Sequence, residues 1–141
     1  MKKLKKTSLI ILIAGYLAAG INHFRDPASY INIIPLYFPH PAILNLVVGF
    51  CEIGFALLLI FAKTREFAAW GIVFMLIAFI PVHTEMVRDA PFMLGTLKVT
   101  PLIAWTRLVI LQPLLIWWAW WYTKAEKFDK QSHLYDPEKF I

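Results

Sequence analysis

The chain has 141 residues, of which 60% are hydrophobic and 16% are charged, and its formal net charge is +5. Soluble globular domains carry about 45–50% apolar and about 25% charged residues, so this composition disfavours a water-soluble fold. The apolar excess is expected to face a bilayer. The 14 lysines and arginines are scattered between apolar blocks and form no basic patch, which argues against nucleic acid as a partner. A single cysteine, Cys51, excludes an internal disulfide.

Four apolar segments are long enough to cross a hydrocarbon core of about 30 Å at about 1.5 Å per residue. They predict an all-α integral membrane four-helix bundle with spans at about 7–24, 42–62, 67–86 and 102–123. The first segment follows a basic stretch, as in a secretory signal peptide, but three further spans favour a retained signal-anchor over cleavage. We expect one membrane domain over residues 1–124 and a polar cytoplasmic tail over 125–141.

The distribution of cations predicts the orientation of these helices, because cytoplasmic loops carry an excess of lysine and arginine. Most cations precede the first span, follow the last, or lie in the short turn between the second and third. The opposite side holds only Arg25, Arg88 and Lys98. This bias predicts both termini in the cytoplasm and the segments 25–40 and 87–100 outside.

The two halves of the chain share landmarks at corresponding positions. A shift of 60 positions aligns His23 with His83, Pro41 with Pro101, and Glu52 with Gln112. Each half is therefore interpreted as one helical hairpin, with the two hairpins related by an axis along the membrane normal. In such a pseudo-twofold bundle, the two histidines are expected to converge near the outer face.

Charged residues lie inside two of the predicted spans, where each costs at least about 2.5 kcal/mol on insertion scales. We expect Glu52 and Arg107 to pair across the bundle interior, with Gln112 completing the network. Pro113 removes a helical hydrogen bond beside them, and irregular backbone at membrane depth is tolerated where it lines a cavity. The pair either holds two helices together or marks a functional site, and the sequence leaves both interpretations open.

Several hydrogen-bond donors are expected near one level of the bundle, towards its outer end. A quinone headgroup needs an apolar slot with one or two donors, so a quinone or similar lipophilic molecule is the expected ligand. The predicted ligand-binding residues are Asn22, His23, Glu52, His83, Arg107 and Gln112. Both histidines lie near helix ends, which favours neutral or proton-carrying side chains over haem ligation. The spacing of the histidines and acidic residues predicts no metal site.

The apolar, proline-broken segment 30–38 predicts a lid over the outer mouth of the bundle.

Six short motifs are distributed along the membrane part of the chain. They are Ala19-Gly-Ile-Asn-His-Phe24, Pro35 to Pro41, Gly49-Phe-Cys-Glu52, Ala68-Ala-Trp-Gly71, Phe79-Ile-Pro81, and Arg107–Gln112 followed by Pro-Leu-Leu-Ile-Trp. Together, over about residues 14–123, they resemble the DoxX-like family of small four-helix bacterial membrane proteins. Glu52 and Arg107 match the pattern of that family, whereas His83 stands where the family often has asparagine.

The resemblance implies a four-span bundle in the bacterial cytoplasmic membrane. Some DoxX-like proteins are subunits of thiosulfate:quinone oxidoreductase or partners in membrane oxidoreductase complexes. The expected function is thus a subunit that binds a quinone or similar molecule and serves a membrane redox complex, with redox proteins or a second copy of the chain as partners. The alternative is a non-enzymatic carrier or assembly protein whose buried polar residues only specify helix packing.

Overall fold

The computed structural model describes residues 2–124, so the predicted tail over 125–141 lies outside the described residues. The elements in chain order are α1 (Lys2–Arg25), α2 (Pro27–Ile31), α3 (Pro41–Ile60), α4 (Arg65–Ala78), α5 (Ile80–Asp89), β1 (Phe92–Leu94), β2 (Leu97–Val99), α6 (Pro101–Trp105), a π-helical segment (Thr106–Leu111) and α7 (Gln112–Trp120). Four stretches are long and apolar enough to cross a membrane: Lys3–Arg25, Pro41–Ile60, Arg65–Asp89 and Pro101–Trp120. The prediction of four such helices is confirmed.

Prolines set the start of two long helices, as the sequence predicted. Pro41 and Pro101 occupy the first turn of α3 and α6, where a missing N–H leaves no hydrogen bond unmade. His40 precedes α3 in the left-handed region with a φ of 53°. Thr100 precedes α6, and its side chain accepts a hydrogen bond from the backbone N–H of Ile103.

A third proline divides the third long helix into α4 and α5. Pro81 lies in the first turn of α5 and cannot donate to the carbonyl of Ile77. At the junction, the backbone N–H of Phe79 lies 3.1 Å from the carbonyl oxygen of Met75 and 3.2 Å from that of Leu76. The helix therefore tightens at its break, and the carbonyls there become available to side chains from neighbouring helices.

Two glycines allow α1 and α3 to pack closely. A Cβ on Gly20 would lie 2.9 Å from the carbonyl oxygen of Gly49, and a Cβ on Gly49 would lie 2.9 Å from the Cβ of His23. Small residues let helix backbones approach in this way, which is how membrane helices commonly gain packing contacts. The approach seats His23 directly against α3.

One apolar core joins all four long helices. Its buried members are Leu12, Tyr16, Ala56, Leu59, Ala68, Ala69, Ile72, Val73, Leu76, Ala119 and Tyr122. Near one end of this core, the indole N–H of Trp118 donates to Ser8 Oγ at 2.7 Å, and the hydroxyl of Tyr122 donates to the carbonyl of Lys5 at 3.0 Å. These bonds place the start of α1 and the end of α7 at the same end of the bundle.

The opposite end carries a β-hairpin and the α2 segment. Strands β1 and β2 are antiparallel with Leu94 opposite Leu97, and Gly95 at the turn has a φ of 58°. A Cβ on Gly95 would lie 3.0 Å from Asp26 Oδ2, so the hairpin tip packs against the junction of α1 and α2. The all-α prediction omitted this hairpin, because segment 87–100 was interpreted only as an outer connection.

The close packing of α1 on α3 predicts opposite effects for one substitution at two glycines. Gly20→Ala is expected to lower the free energy of unfolding by about 1–3 kcal/mol, because its Cβ meets backbone atoms of α3. Gly54→Ala on α3 is the matched control: its Cβ meets no atom within 4 Å, and helix propensity favours alanine by up to about 1 kcal/mol. Thermal unfolding of both variants in detergent measures the difference, and equal stability of the two would contradict the close approach.

Candidate functional site

A cavity of about 290 Å³ lies between α1, α3, α4 and the last long helix. Its wall is mostly apolar, with Leu76 and Phe79 on one side and Trp118 on another. Three polar side chains also line it: Tyr16, Glu52 and Arg107. An apolar cleft with a few converging polar groups is the usual form of a small-molecule site.

The cavity reaches the outer surface of the bundle between α1 and α7. On α1, Ile11 and Gly15 line the cavity and are exposed. On α7, Leu115 and Trp118 line the same side of it. A molecule dissolved in the surrounding medium can therefore approach the polar groups through an apolar opening.

His23 joins Glu52 through a buried network at the α1–α3 contact. The ring Nδ1 of His23 lies 2.7 Å from Asn45 Oδ1, and Asn45 Nδ2 donates to the backbone carbonyl of His23 at 3.0 Å. On the other side of the ring, Nε2 lies 3.5 Å from Glu52 Oε2. The exposed fractions of His23, Asn45 and Glu52 are 7%, 1% and 5%. The carboxylate therefore faces both an imidazole and the cavity.

This network follows from helical spacing on both helices. On α3, the buried residues are Asn45, Gly49, Glu52, Ala56 and Leu59, at alternating intervals of four and three. Residues with these intervals share one face of an α-helix. The glycine between Asn45 and Glu52 leaves the space that His23 occupies.

Arg107 and Gln112 form a second network in the π-helical segment. The backbone N–H of Gln112 donates to the carbonyl of Arg107, five residues earlier, which is the hydrogen bond of a π-helix. In an α-helix, five residues make about 1.4 turns, so these side chains would point apart. The wider turn instead aligns them, and Arg107 Nη1 donates to Gln112 Oε1 at 2.5 Å. Pro113 favours this geometry because it cannot donate to the carbonyl of Val109.

Gln112 also links the last long helix to the end of α4. Its Nε2 donates to the carbonyl of Leu76, at the end of α4, and the side chain is 1% exposed. The amide thus uses its acceptor for Arg107 and its donor for the backbone of α4.

The expected ion pair between Glu52 and Arg107 does not form. Within the described residues, no nitrogen of Arg107 lies within 4 Å of the Glu52 carboxylate, whereas Nε2 of His23 lies 3.5 Å from it. Both side chains line the same cavity. The physical reason is local: the π-helical turn directs the guanidinium towards Gln112, and the α1–α3 contact supplies His23 to the carboxylate.

The remaining predicted residues lie apart from the cavity. Asn22 is exposed on α1, and its Nδ2 donates to the hydroxyl of Tyr30 at 2.9 Å. His83 is buried on α5, with Nδ1 3.3 Å from the sulfur of Met86 and Nε2 without a hydrogen-bond partner. The histidines aligned by the internal shift thus have different neighbours.

Two residues of the site were missed from the sequence. Tyr16 lies seven residues before His23, and Asn45 lies seven residues before Glu52. Seven residues are about two helical turns, so each shares a face with the residue that was predicted. Counting back two turns from each buried polar residue would have found both.

The fold and the cavity define a small helical bundle with membrane-spanning dimensions and polar groups inside an apolar wall. The chain belongs to a family described as a domain of unknown function (DUF8561), whose model matches residues 12–123. No curated protein and no solved structure matches the chain. The family match includes both networks, and the family description assigns them no activity.

The two roles of Gln112 predict a large effect of its removal. Gln112→Leu removes the acceptor of the Arg107 guanidinium and one of the two donors to the carbonyl of Leu76, and a half-buried guanidinium left without this partner costs about 1–3 kcal/mol. Leu114→Ala, at a 50% exposed position of α7, is the control and should change stability by about 0.5 kcal/mol or less. Thermal unfolding in detergent compares the two, and a stable Gln112→Leu protein would show that the network is not structural.

Proposed function

We propose that this chain is a multi-pass protein of the bacterial cytoplasmic membrane, crossing it four times with both termini in the cytoplasm. Four helices of sufficient length and hydropathy support the crossings. Large apolar side chains on the outer faces, such as Phe50, Phe74 and Val109, are more than half exposed, which suits contact with acyl chains.

The proposed orientation is supported by the two ends of the bundle. The end that holds the start of α1 and the end of α7 carries most of the cations of the described chain, among them Lys63 and Lys124. The other end, with α2 and the β-hairpin, has few. The positive-inside bias therefore favours a cytoplasmic location for the first of these ends.

Cysteine labelling tests the orientation. In a Cys51→Ala background, Leu36→Cys places a thiol at an exposed position near α2, and Lys63→Cys places one in the exposed turn before α4. A membrane-impermeant maleimide added to intact cells is expected to label the first and to label the second only after lysis. The reverse pattern would invert the topology, and equal labelling of both would contradict a membrane crossing between them.

We further propose that the cavity binds a quinone or a similar lipophilic ring with carbonyl oxygens. The observation that carries this proposal is the placement of Tyr16, Glu52 and Arg107 in one apolar cavity of about 290 Å³. The hydroxyl and the guanidinium can donate hydrogen bonds to carbonyl oxygens, and the apolar wall suits the ring. The opening between α1 and α7 faces the acyl chains in this orientation, which is the phase where lipophilic quinones dissolve.

The proposed role is that of a subunit in a membrane redox complex. A quinone exchanges electrons, and electron-transfer groups such as haem or iron–sulfur clusters need axial or thiolate ligands. The described residues contain no group of three or more His, Cys, Asp or Glu side chains that could hold a metal. We propose that a partner protein supplies or receives the electrons. The same role is what the DoxX-like resemblance of the motifs implies, and it stays a prediction.

A second candidate function is favoured by the Arg107–Gln112 network. Gln112 bridges α7 to the carbonyl of Leu76, so that network has a clear role in helix packing. In this reading, the chain is a carrier or assembly protein with no redox ligand. The network around Glu52 does not share this explanation, because one carboxylate oxygen has no hydrogen-bond partner.

Filling the cavity tests ligand binding. Gly15 lines the cavity and an added Cβ meets no atom within 4 Å, so Gly15→Leu is expected to fold and to occupy part of the space. We expect duroquinone to quench the fluorescence of Trp118, and Gly15→Leu to weaken its binding at least about tenfold, or about 1.4 kcal/mol. Quenching titrations of the purified proteins measure both.

Gly54→Leu is the matched control for this experiment. It makes the same substitution on α3 in open space, at a position that does not line the cavity, and should leave duroquinone binding unchanged. Mass spectrometry of extracts from the purified wild-type protein should find a co-purified quinone. Absence of quenching by wild type, or equal loss in both variants, would contradict a quinone site in the cavity and favour the carrier or assembly function.

A further inference from the structure

The hydrogen bonds of Asn45 determine which nitrogen of His23 carries a proton. A backbone carbonyl only accepts, so the Asn45 atom 3.0 Å from the His23 carbonyl must be the amide nitrogen. The other amide atom, Oδ1, then faces the ring at 2.7 Å and is an acceptor, so Nδ1 must be an N–H donor. A neutral His23 therefore presents the lone pair of Nε2 to Glu52.

This tautomer leaves two acceptors facing each other. Nε2 of His23 and Oε2 of Glu52 are 3.5 Å apart, and Oε2 is buried without a hydrogen-bond partner. Two lone pairs at this distance repel when the carboxylate is ionised. One additional proton between them turns the contact into a hydrogen bond whichever of the two atoms holds it, and into a charge-assisted one when Nε2 holds it.

The net charge of the His23–Glu52 couple also favours one shared proton. With one shared proton, the couple is either an imidazolium with a carboxylate or an imidazole with a carboxylic acid, and both forms have zero net charge. Without it, the couple carries a negative charge in a buried apolar setting, which is costly. The other titratable groups that face it are Tyr30, whose ring centroid is 3.8 Å from that of His23, and Tyr16 and Arg107 in the cavity.

We propose that His23 and Glu52 form a proton-binding site that holds one shared proton between Nε2 and Oε2. Loading takes one proton from a hydronium ion: its O–H bond breaks, a single N–H or O–H bond forms in this gap, a water molecule is left in solution, and no oxidation or reduction occurs. His23 lies two residues before the end of α1 and keeps a 7% exposed fraction, whereas Glu52 lines the cavity. The proton is therefore held between that end of the bundle and the cavity, and its delivery to a bound quinone rests on the proposed function.

Nitrogen-15 NMR of ring-labelled histidine in the full-length protein tests this site. The chain has four histidines, and His23→Gln identifies the His23 signals by their loss. At neutral pH, Nδ1 is expected to be protonated and Nε2 protonated or strongly hydrogen-bonded. Raising the pH should shift Nε2 to the position of an unprotonated ring nitrogen, with the release of one proton per chain. Nδ1 should stay protonated throughout.

Two variants separate the shared proton from packing. Glu52→Gln supplies an amide N–H to the lone pair of Nε2, so the ring should be a neutral Nδ1–H tautomer already at neutral pH and release no proton. Asn45→Leu keeps the carboxylate but removes the acceptor for Nδ1, so neutral His23 should change to the Nε2–H tautomer. If one variant fails to fold, the other still gives its own signature.

The outcomes distinguish this site from the quinone proposal. A wild-type protein with Nε2–H and an unprotonated Nδ1, or identical Nε2 signals in wild type and Glu52→Gln, would overturn the proton-binding site while leaving duroquinone quenching unaffected. A proton-loaded couple in a protein that duroquinone does not quench would retain the site and remove the proposed quinone function.

Discussion

The close approach of α1 to α3 is the constraint on which the polar interior depends. Gly20 and Gly49 bring the two backbones together, and this contact puts the ring of His23 between Asn45 and Glu52. A larger side chain at either glycine would separate the helices and expose the carboxylate to the cavity alone. The packing of α1 on α3 and the position of the Glu52 carboxylate therefore depend on the same contact, so a change in one is expected to change the other.

Irregular backbone plays the corresponding part on the other side of the cavity. Pro81 and Pro113 each remove one helical hydrogen bond. A tight junction follows α4 near Pro81, and a π-helical turn precedes α7 near Pro113. Gln112 links the two irregularities through the carbonyl of Leu76. Irregular backbone at both prolines is therefore accommodated inside the bundle, where a side chain of one helix donates to the backbone of another.

The sequence was most informative where a single helix determined the outcome. Hydropathy and length located the four helices, and Pro41 and Pro101 marked helix starts, because both signals are local. The partner of Glu52 depended on the rotation of two helices and on a π-helical turn, neither of which appears in residue spacing taken as α-helical throughout. The pairing of Glu52 with Arg107 was predicted only from the depth of each residue within its span. The hairpin was missed because β1 and β2 are only three residues each and were bounded by weak signals.

The two polar networks differ in how completely their hydrogen bonds are used, and this difference assigns their roles. Around Gln112, both ends of the amide bind a partner within the bundle, so that network is explained by packing. Around Glu52, Asn45 uses its donor and its acceptor on His23, yet Oε2 of the carboxylate remains unpartnered and lies beside the cavity. A buried acid left in this state is costly to stability, and helix packing alone would favour an apolar residue of similar size. Chemistry in this bundle is therefore expected on α1 and α3, with α4 and α7 supplying the rigid wall against which it takes place.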